Sequence, residues 1–264
     1  MTLSSLLLLN GAAVALLMVA VWGVSLPLRN ASIVDSVWGP AFALVAWTSL
    51  LQGGASPGVR HLVAAGAVTV WGLRLGWHIS RRNLGKGEDP RYARWRQAGG
   101  AGWPLRSLVT VFLLQGVILW VVALPLQVGL AASGPGIGWM VGVGAGVWGI
   151  GFLLEATADL QLERFRRAPG NRGRVLDTGV WRYSRHPNYF GDAVVWWGLW
   201  LMSGAAVGAW WTAVGPLLMT ALLRWVSGVT LLEKDLSRSR PGYDAYVRRT
   251  SPFLPLPPRR DPSG

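Results

Sequence analysis

Apolar positions run in long uninterrupted blocks along this chain. Seven of the blocks approach or exceed the roughly 20 residues a helix needs to cross a bilayer core. They are Leu3–Val24, Ile33–Leu51, Leu62–Ile79, Leu108–Leu130, Ile137–Leu154, Tyr189–Met202 with a few residues beyond, and Ala209–Leu232. The sixth has the shortest apolar run. The first has no basic residue ahead of it and no small-residue cleavage site, so it reads as a retained helix and not as a signal peptide. The pattern predicts an all-α integral membrane protein. A single seven-helix domain covers 1–254, with cytoplasmic loops at 80–107 and 155–188. A disordered Pro-rich tail covers 255–264. Gly142, Gly144, Gly146, Gly149 and Gly151 line the fifth block, and small residues there let helix backbones approach.

Charge sets the expected orientation. Segment 81–106 carries Arg81, Arg82, Lys86, Arg91, Arg94, Arg96 and Arg106. Segment 155–188 carries Arg164, Arg166, Arg167, Arg172, Arg174, Arg182 and Arg185. The tail from Glu233 carries Lys234, Arg238, Arg240, Arg248, Arg249, Arg259 and Arg260. The connections near 131–136 and 203–208 carry none. This alternation places the N-terminus outside and the C-terminus in the cytoplasm, with Arg60 the exception.

Composition narrows the class. Of 264 residues, 52% are hydrophobic and 14% charged, against about 25% charged in ordinary soluble domains. That excludes a soluble enzyme, a disordered chain and a nucleic-acid-binding domain. The net charge of +13 is mostly orientation bias, and its surplus suits an anionic ligand. There is no Cys, and the three His are far apart, so neither thiol chemistry nor a metal site is expected. Of the 25 basic residues nearly all are Arg, and Ala, Gly and Trp are frequent. That bias fits a bacterial inner-membrane protein.

Ionisable groups inside membrane helices are costly and mark functional candidates. Asp35 and Trp38 open the second block. Arg74 and His78 share a face of the third. Glu155 and Asp159 share a face at the end of the fifth. Asp192 opens the sixth, Arg224 lies late in the seventh, and Glu233 follows it. With the expected orientation all lie toward the cytoplasm, which predicts a polar chamber open to that side.

The 155–192 segment supplies further chemistry. The Arg side chains of this segment offer planar forks suited to phosphate oxygens. Pro187 can open a helix, and Asn188 and Asp192 are one helical turn apart, placed to bond an amide or ribose hydroxyls. These residues point to an anionic, nucleotide-sized ligand without naming it.

The run Arg182-Tyr183-Ser184-Arg185-His186-Pro187-Asn188-Tyr189-Phe190-Gly191-Asp192 resembles the signature of bacterial membrane proteins related to steroid 5-alpha-reductase. Asp35-Ser36-Val37-Trp38-Gly39-Pro40 agrees. So do Trp71-Gly72-Leu73-Arg74-Leu75-Gly76-Trp77-His78 with Arg81 to Tyr92, and the tail from Glu233-Lys234 through Tyr243 to Phe253. The resemblance spans nearly the whole chain in order.

It implies a reductase that binds NADPH at the cytoplasmic face. The substrate would be a lipophilic, steroid-like molecule entering from the bilayer, with a carbon–carbon double bond conjugated to a ketone. Asp35 and His78 take the catalytic positions, His78 standing where relatives carry a tyrosine, with Trp38 and Arg74 lining the substrate. Arg81, Glu155, Asp159, Arg166, Arg174, Tyr183, His186, Asn188, Tyr189, Asp192, Glu233, Lys234 and Tyr243 fall to the cofactor. The wider superfamily also contains isoprenylcysteine carboxyl methyltransferases, which share an Arg-His-Pro-x-Tyr-x-Gly element. Methyl transfer from S-adenosylmethionine is therefore the alternative.

Overall fold

The computed structural model describes residues 2–53, 56–226 and 242–259. The described residues form helices and no strand; Ser184 and Ser251 make an isolated parallel bridge. The helices are α1 (Leu3–Leu28), α2 (Ile33–Gln52), α3 (Val59–Asn83), α4 (Pro90–Gly99), α5 (Trp103–Ser107), α6 (Leu114–Val122), α7 (Leu124–Ala131), α8 (Gly138–Arg167), α9 (Pro187–Met202), α10 (Val214–Ala221) and α11 (Tyr243–Arg249). Among the described residues, six helical segments are long and apolar enough to cross a membrane, so this is a multi-pass membrane protein. The expected seventh block runs through α10 and a π-turn, Leu222–Val226. Its remainder lies outside the described residues.

The chain divides into two compact units: Met1–Gly142 with Leu199–Gly215, and Val143–Gly198 with Pro216–Gly264.

In the first unit, α2 and α3 cross with their backbones in contact. A Cβ on Gly39 would lie 2.5 Å from Gly72 O, and one on Gly76 would lie 2.8 Å from Ser36 O. These glycines belong to the two segments quoted above from α2 and α3, so that part of the pattern encodes a helix crossing. The same contact brings the start of α2, with Asp35, beside the end of α3, with Arg74 and His78.

Polar residues fasten the opposite end. Buried Asn10 of α1 donates to Ser49 Oγ at 2.8 Å and accepts from Thr48 Oγ1 at 2.8 Å and Gln52 Nε2 at 3.1 Å. Pro125 breaks the long fourth span between α6 and α7. Gln127 Nε2 meets the Trp120 carbonyl near that break at 2.7 Å. Arg60, the basic residue against the charge rule, is 2% exposed. It caps α7, donating to Gly129 O, to Ala132 O at 2.8 Å and to Gly134 O at 3.1 Å. Its charge is spent on orphan helix carbonyls, which is why the loop count did not capture it. Arg60 and Trp77 sit about 25 Å apart along α3 at ~1.5 Å per residue. Exposed Trp77 and Trp95 mark one end, and Trp139, Trp210 and Trp211 the other. Such belts suit the two membrane–water interfaces.

In the second unit, α8 continues as one helix well past the expected end of its apolar block, carrying Glu155 and Asp159 beyond it. It crosses α9 through glycines. A Cβ on Gly151 would lie 2.6 Å from Val195 N, and one on Gly191 would lie 2.6 Å from Glu155 N. The glycines expected to line this helix therefore divide. Gly151 touches α9, and Gly144 presents its carbonyl to Gly198. Added Cβ atoms on Gly142, Gly146 and Gly149 would meet nothing within 4 Å. Residues 255–259, where the sequence reading begins a disordered tail, are hydrogen-bonded: Leu256 N donates to Tyr183 O at 3.0 Å and Arg259 N to Arg249 O at 2.9 Å.

Candidate functional site

Two polar groups stand out, one in each unit. The first is built on the start of α2 and the start of α4. Asp35 sits in the first turn of α2, where a carboxylate could simply favour the helix dipole. Its bonds say more. Oδ1 accepts the phenol of Tyr92 at 2.7 Å, and Oδ2 faces Arg91 Nη2 at 3.4 Å. Gln115 Nε2 donates to the same phenol oxygen at 3.1 Å, from α6 just beyond a π-helical stretch, Leu108–Leu113. Tyr92 is 5% exposed. Its ring meets Trp95 edge-on at 5.5 Å.

Local sequence explains why Tyr92 is there. Asp89 caps α4, its side chain accepting the Arg91 N–H at 2.9 Å, and Pro90 occupies the first turn. Asp89 lies off the membrane spans. Burial alone would raise its pKa, but the Arg91 bonds outweigh that and hold it below the ordinary carboxylate value. Sequence reading treated 81–106 as a basic loop and gave Tyr92 no role. The Asp-Pro start signal was available, and it places a tyrosine in the first turn of a helix.

Trp38 lies one turn after Asp35 on α2. Its ring packs edge-on against Phe42 at 4.9 Å, and its Nε1 is buried without a hydrogen-bond partner. An orphan donor of this kind is uncommon and calls for an acceptor. Arg74 and His78 are half-buried on α3, and Arg81 is exposed near its end. Asp35, His78, Trp38, Arg74 and Arg81 therefore all belong to the first unit.

The second group lies where α8 meets α9. Glu155, Asp159 and Asp192 are buried at 3%, 7% and 8% exposure. The Gly191–Glu155 contact sets their approach. Asn188 Nδ2 donates to Asp159 Oδ1 at 3.1 Å, while Asn188 Oδ1 is buried with no partner. His186 is buried and its ring is parallel to that of Tyr189, centroids 5.6 Å apart.

Part of the signature is committed to holding the terminal segment. Arg185 caps α11, donating to Val247 O at 2.9 Å and Thr250 O at 2.8 Å. Ser184 Oγ donates to Phe253 O at 2.8 Å. Tyr246, which sequence reading passed over, donates to Trp181 O at 2.5 Å. Burial first, then the neighbouring Tyr243, pushes the Tyr246 phenol above its ordinary pKa. Tyr243 is buried beside it at 6.0 Å between centroids, and Tyr183 is exposed. Arg166 and Arg174 are exposed on the α8 end and the turn after it. Glu233 and Lys234 lie outside the described residues.

Chemically, the first group offers a phenol on a carboxylate and an unpaired indole donor. The second offers carboxylates and an unpaired amide oxygen, all acceptors for hydroxyl and amide N–H groups, with exposed Arg nearby in sequence for phosphate.

Comparison with known proteins gives one distant relative and one family. An uncharacterized protein of Schizosaccharomyces pombe is 26% identical over 262 residues, covering 89% of this chain and 75% of the relative. No solved structure matches. A family profile described as "Protein of unknown function (DUF1295)" matches residues 21–250. The chain belongs to the DUF1295 family.

Proposed function

We propose that the protein is an NADPH-dependent membrane reductase acting on a carbon–carbon double bond conjugated to a ketone in a lipophilic, steroid-like substrate that enters from the bilayer. The reading includes seven membrane helices, an outer N-terminus, a cytoplasmic C-terminus and a bacterial inner membrane. The Tyr92–Asp35 bond at 2.7 Å is the observation that carries it. Reducing an enone places negative charge on the ketone oxygen, and catalysis needs a strong donor there. A buried phenol beside a carboxylate is such a donor. The likeness of residues 182–192 to the steroid 5-alpha-reductase signature supports the same reading.

The residues of the second unit fit the cofactor's chemistry. The orphan Asn188 Oδ1 suits a carboxamide N–H. Glu155, Asp159 and Asp192 suit hydroxyls, and Arg166 and Arg174 suit phosphates. Tyr183, His186, Tyr189 and Tyr243 belong to the same unit. NADPH, when bound, supplies the hydride that goes to the β carbon.

Solvent supplies the proton that completes the α carbon, and the chain's own residues hold the ketone. The Tyr92 phenol has one hydrogen, given to Asp35 in the structure. A ketone oxygen competes for that hydrogen, and as charge grows on it the bond shifts toward the substrate. Gln115 Nε2 donates to the phenol oxygen and holds it in place as its hydrogen turns from Asp35 to the substrate. Trp38 Nε1 provides a second donor on the face of α2 next to Asp35. Arg74 and His78 line the same end of α3.

Titration of the purified protein with NADPH and, separately, with S-adenosylmethionine tests the assignment. NADPH binding followed by its oxidation on adding a 3-oxo-Δ4 steroid is expected. Binding of S-adenosylmethionine alone overturns it.

A further inference from the structure

Glu88 lies in the connection between α3 and α4, where Gly85 and Gly87 take φ of 75° and 74° and turn the chain back. Its side chain is 9% exposed, and its carboxylate takes three bonds. Oε1 accepts the Ala31 N–H at 2.7 Å and Arg96 Nη2 at 2.8 Å, and Oε2 accepts Arg96 Nε at 2.9 Å. Ala31 is one helical turn before Asp35. Arg96 is one helical turn after Tyr92. One carboxylate thus grips the backbone just ahead of the helix that carries Asp35 and the side chain just past Tyr92.

We infer that Glu88 is a positioning residue: it fastens the starts of α2 and α4 so that the Tyr92 phenol reaches Asp35. The assignment rests on reading Tyr92 and Asp35 as the pair facing the ketone.

Other ties between these elements are weaker. Arg91 meets Asp35 at 3.4 Å and its side chain is 45% exposed, so solvent screens that contact. Asp89 N reaches Ser32 Oγ at 3.3 Å. Glu88 holds Arg96 through a two-pronged charged contact, the stronger kind. Arg96 is steadied on its other side by the Trp103 ring, 5.4 Å from its guanidinium carbon to the centroid. A phenol–carboxylate contact works only within about half an ångström of its best geometry. Glu88→Gln keeps the shape but loses the charge and one of the acceptor oxygens.

The test reads Tyr92 directly and needs no turnover. The full chain, in lipid nanodiscs, is labelled with carbon-13 at the tyrosine phenol carbon. The chain has 5 tyrosines, and Tyr92→Phe identifies the Tyr92 resonance. Asp35→Asn defines the shift caused by loss of the Asp35 carboxylate. Glu88→Gln is expected to move the Tyr92 resonance in the same direction while the Tyr246 resonance stays. If Glu88→Gln does not fold, Arg96→Gln, which leaves Glu88 its Ala31 bond, is expected to give the same shift at smaller size. A Tyr92 resonance unmoved in folded Glu88→Gln, or in folded Arg96→Gln, while Asp35→Asn moves it, overturns the inference. Failure of the reductase reading shows separately, as absence of NADPH oxidation by wild type. If wild type is active, Glu88→Gln is expected to lower kcat about tenfold with the KM for NADPH within about twofold.

Discussion

The phenol of Tyr92 and the carboxylate of Asp35 meet at 2.7 Å across 57 positions of sequence. Neither residue serves its own helix by this bond, because α4 is capped by Asp89 and the Asp35 carboxylate accepts from outside α2. A contact that caps nothing, buries the phenol and joins an acid to a weak acid suits the proposed chemistry. Tyr92→Phe removes the donor and leaves the aromatic packing. Turnover with an enone is expected to fall about 10²–10³-fold, the usual loss for one donor to a developing oxyanion. NADPH affinity is expected to stay within about twofold. Steady-state kinetics with a parallel NADPH titration check both.

Asn188 makes the opposite prediction. Its amide nitrogen is taken by Asp159 and its buried oxygen has no protein partner. Asn188→Ala deprives a bound carboxamide or ribose of its acceptor. NADPH affinity is expected to weaken about tenfold, roughly 1.4 kcal/mol, within the range for an unmet buried partner. With NADPH saturating, kcat is expected to change far less. Equilibrium titration against turnover at saturation separates the two effects.

The glycines of α8 and α9 give a stability test that does not depend on any activity. A methyl on Gly191 would lie 2.6 Å from Glu155 N, so Gly191→Ala forces the helices apart. The expected cost is about 1–3 kcal/mol, seen as a lower melting temperature in detergent. Gly146→Ala meets nothing within 4 Å. It is expected to be neutral or stabilising by up to about 1 kcal/mol, from helix propensity.

Acid pH addresses Glu88, which lies between the membrane spans. Burial alone would raise its pKa, but the bonds from Arg96 and Ala31 outweigh that and hold it below the ordinary value of 4.5. A carboxylate with a depressed folded pKa contributes stability that is fully present above its unfolded pKa. That contribution fades as pH falls through the lower folded value. The melting temperature of Glu88→Gln is therefore expected below that of wild type above pH ~5, with the gap narrowing on acidification. Melting curves collected across the acid range measure it.

Six of the seven expected spans were legible, among the described residues, because lipid demands long apolar runs and leaves little room for other patterns. The glycines of α2 and α3 were visible as part of a pattern, yet their work, a backbone crossing, needed coordinates. Arg60 looked like a misplaced loop charge because a count of basic residues cannot see carbonyls gathered from a distant helix end. α8 outran its apolar block because its polar last turns stay helical outside the bilayer core. Tyr92 was missed for a related reason. The Arg-rich 81–106 segment reads as a loop by charge, and only the Asp89-Pro90 cap marks a helix there. Asp159 and Asn188, far apart in sequence, stand within hydrogen-bond distance because α8 and α9 cross at glycines. Arg185, in contrast, sits in the same signature and is spent on capping α11.

The central claim is hydride transfer to an enone under the control of Tyr92. Its most direct test is turnover of a 3-oxo-Δ4 steroid with NADPH carrying deuterium at the transferred position, followed by mass spectrometry and NMR of the product. The account predicts deuterium at the carbon β to the ketone in wild type, and its near disappearance over the same interval in Tyr92→Phe. No deuterium in the product with folded wild type, or full incorporation at an unchanged rate in Tyr92→Phe, would contradict it.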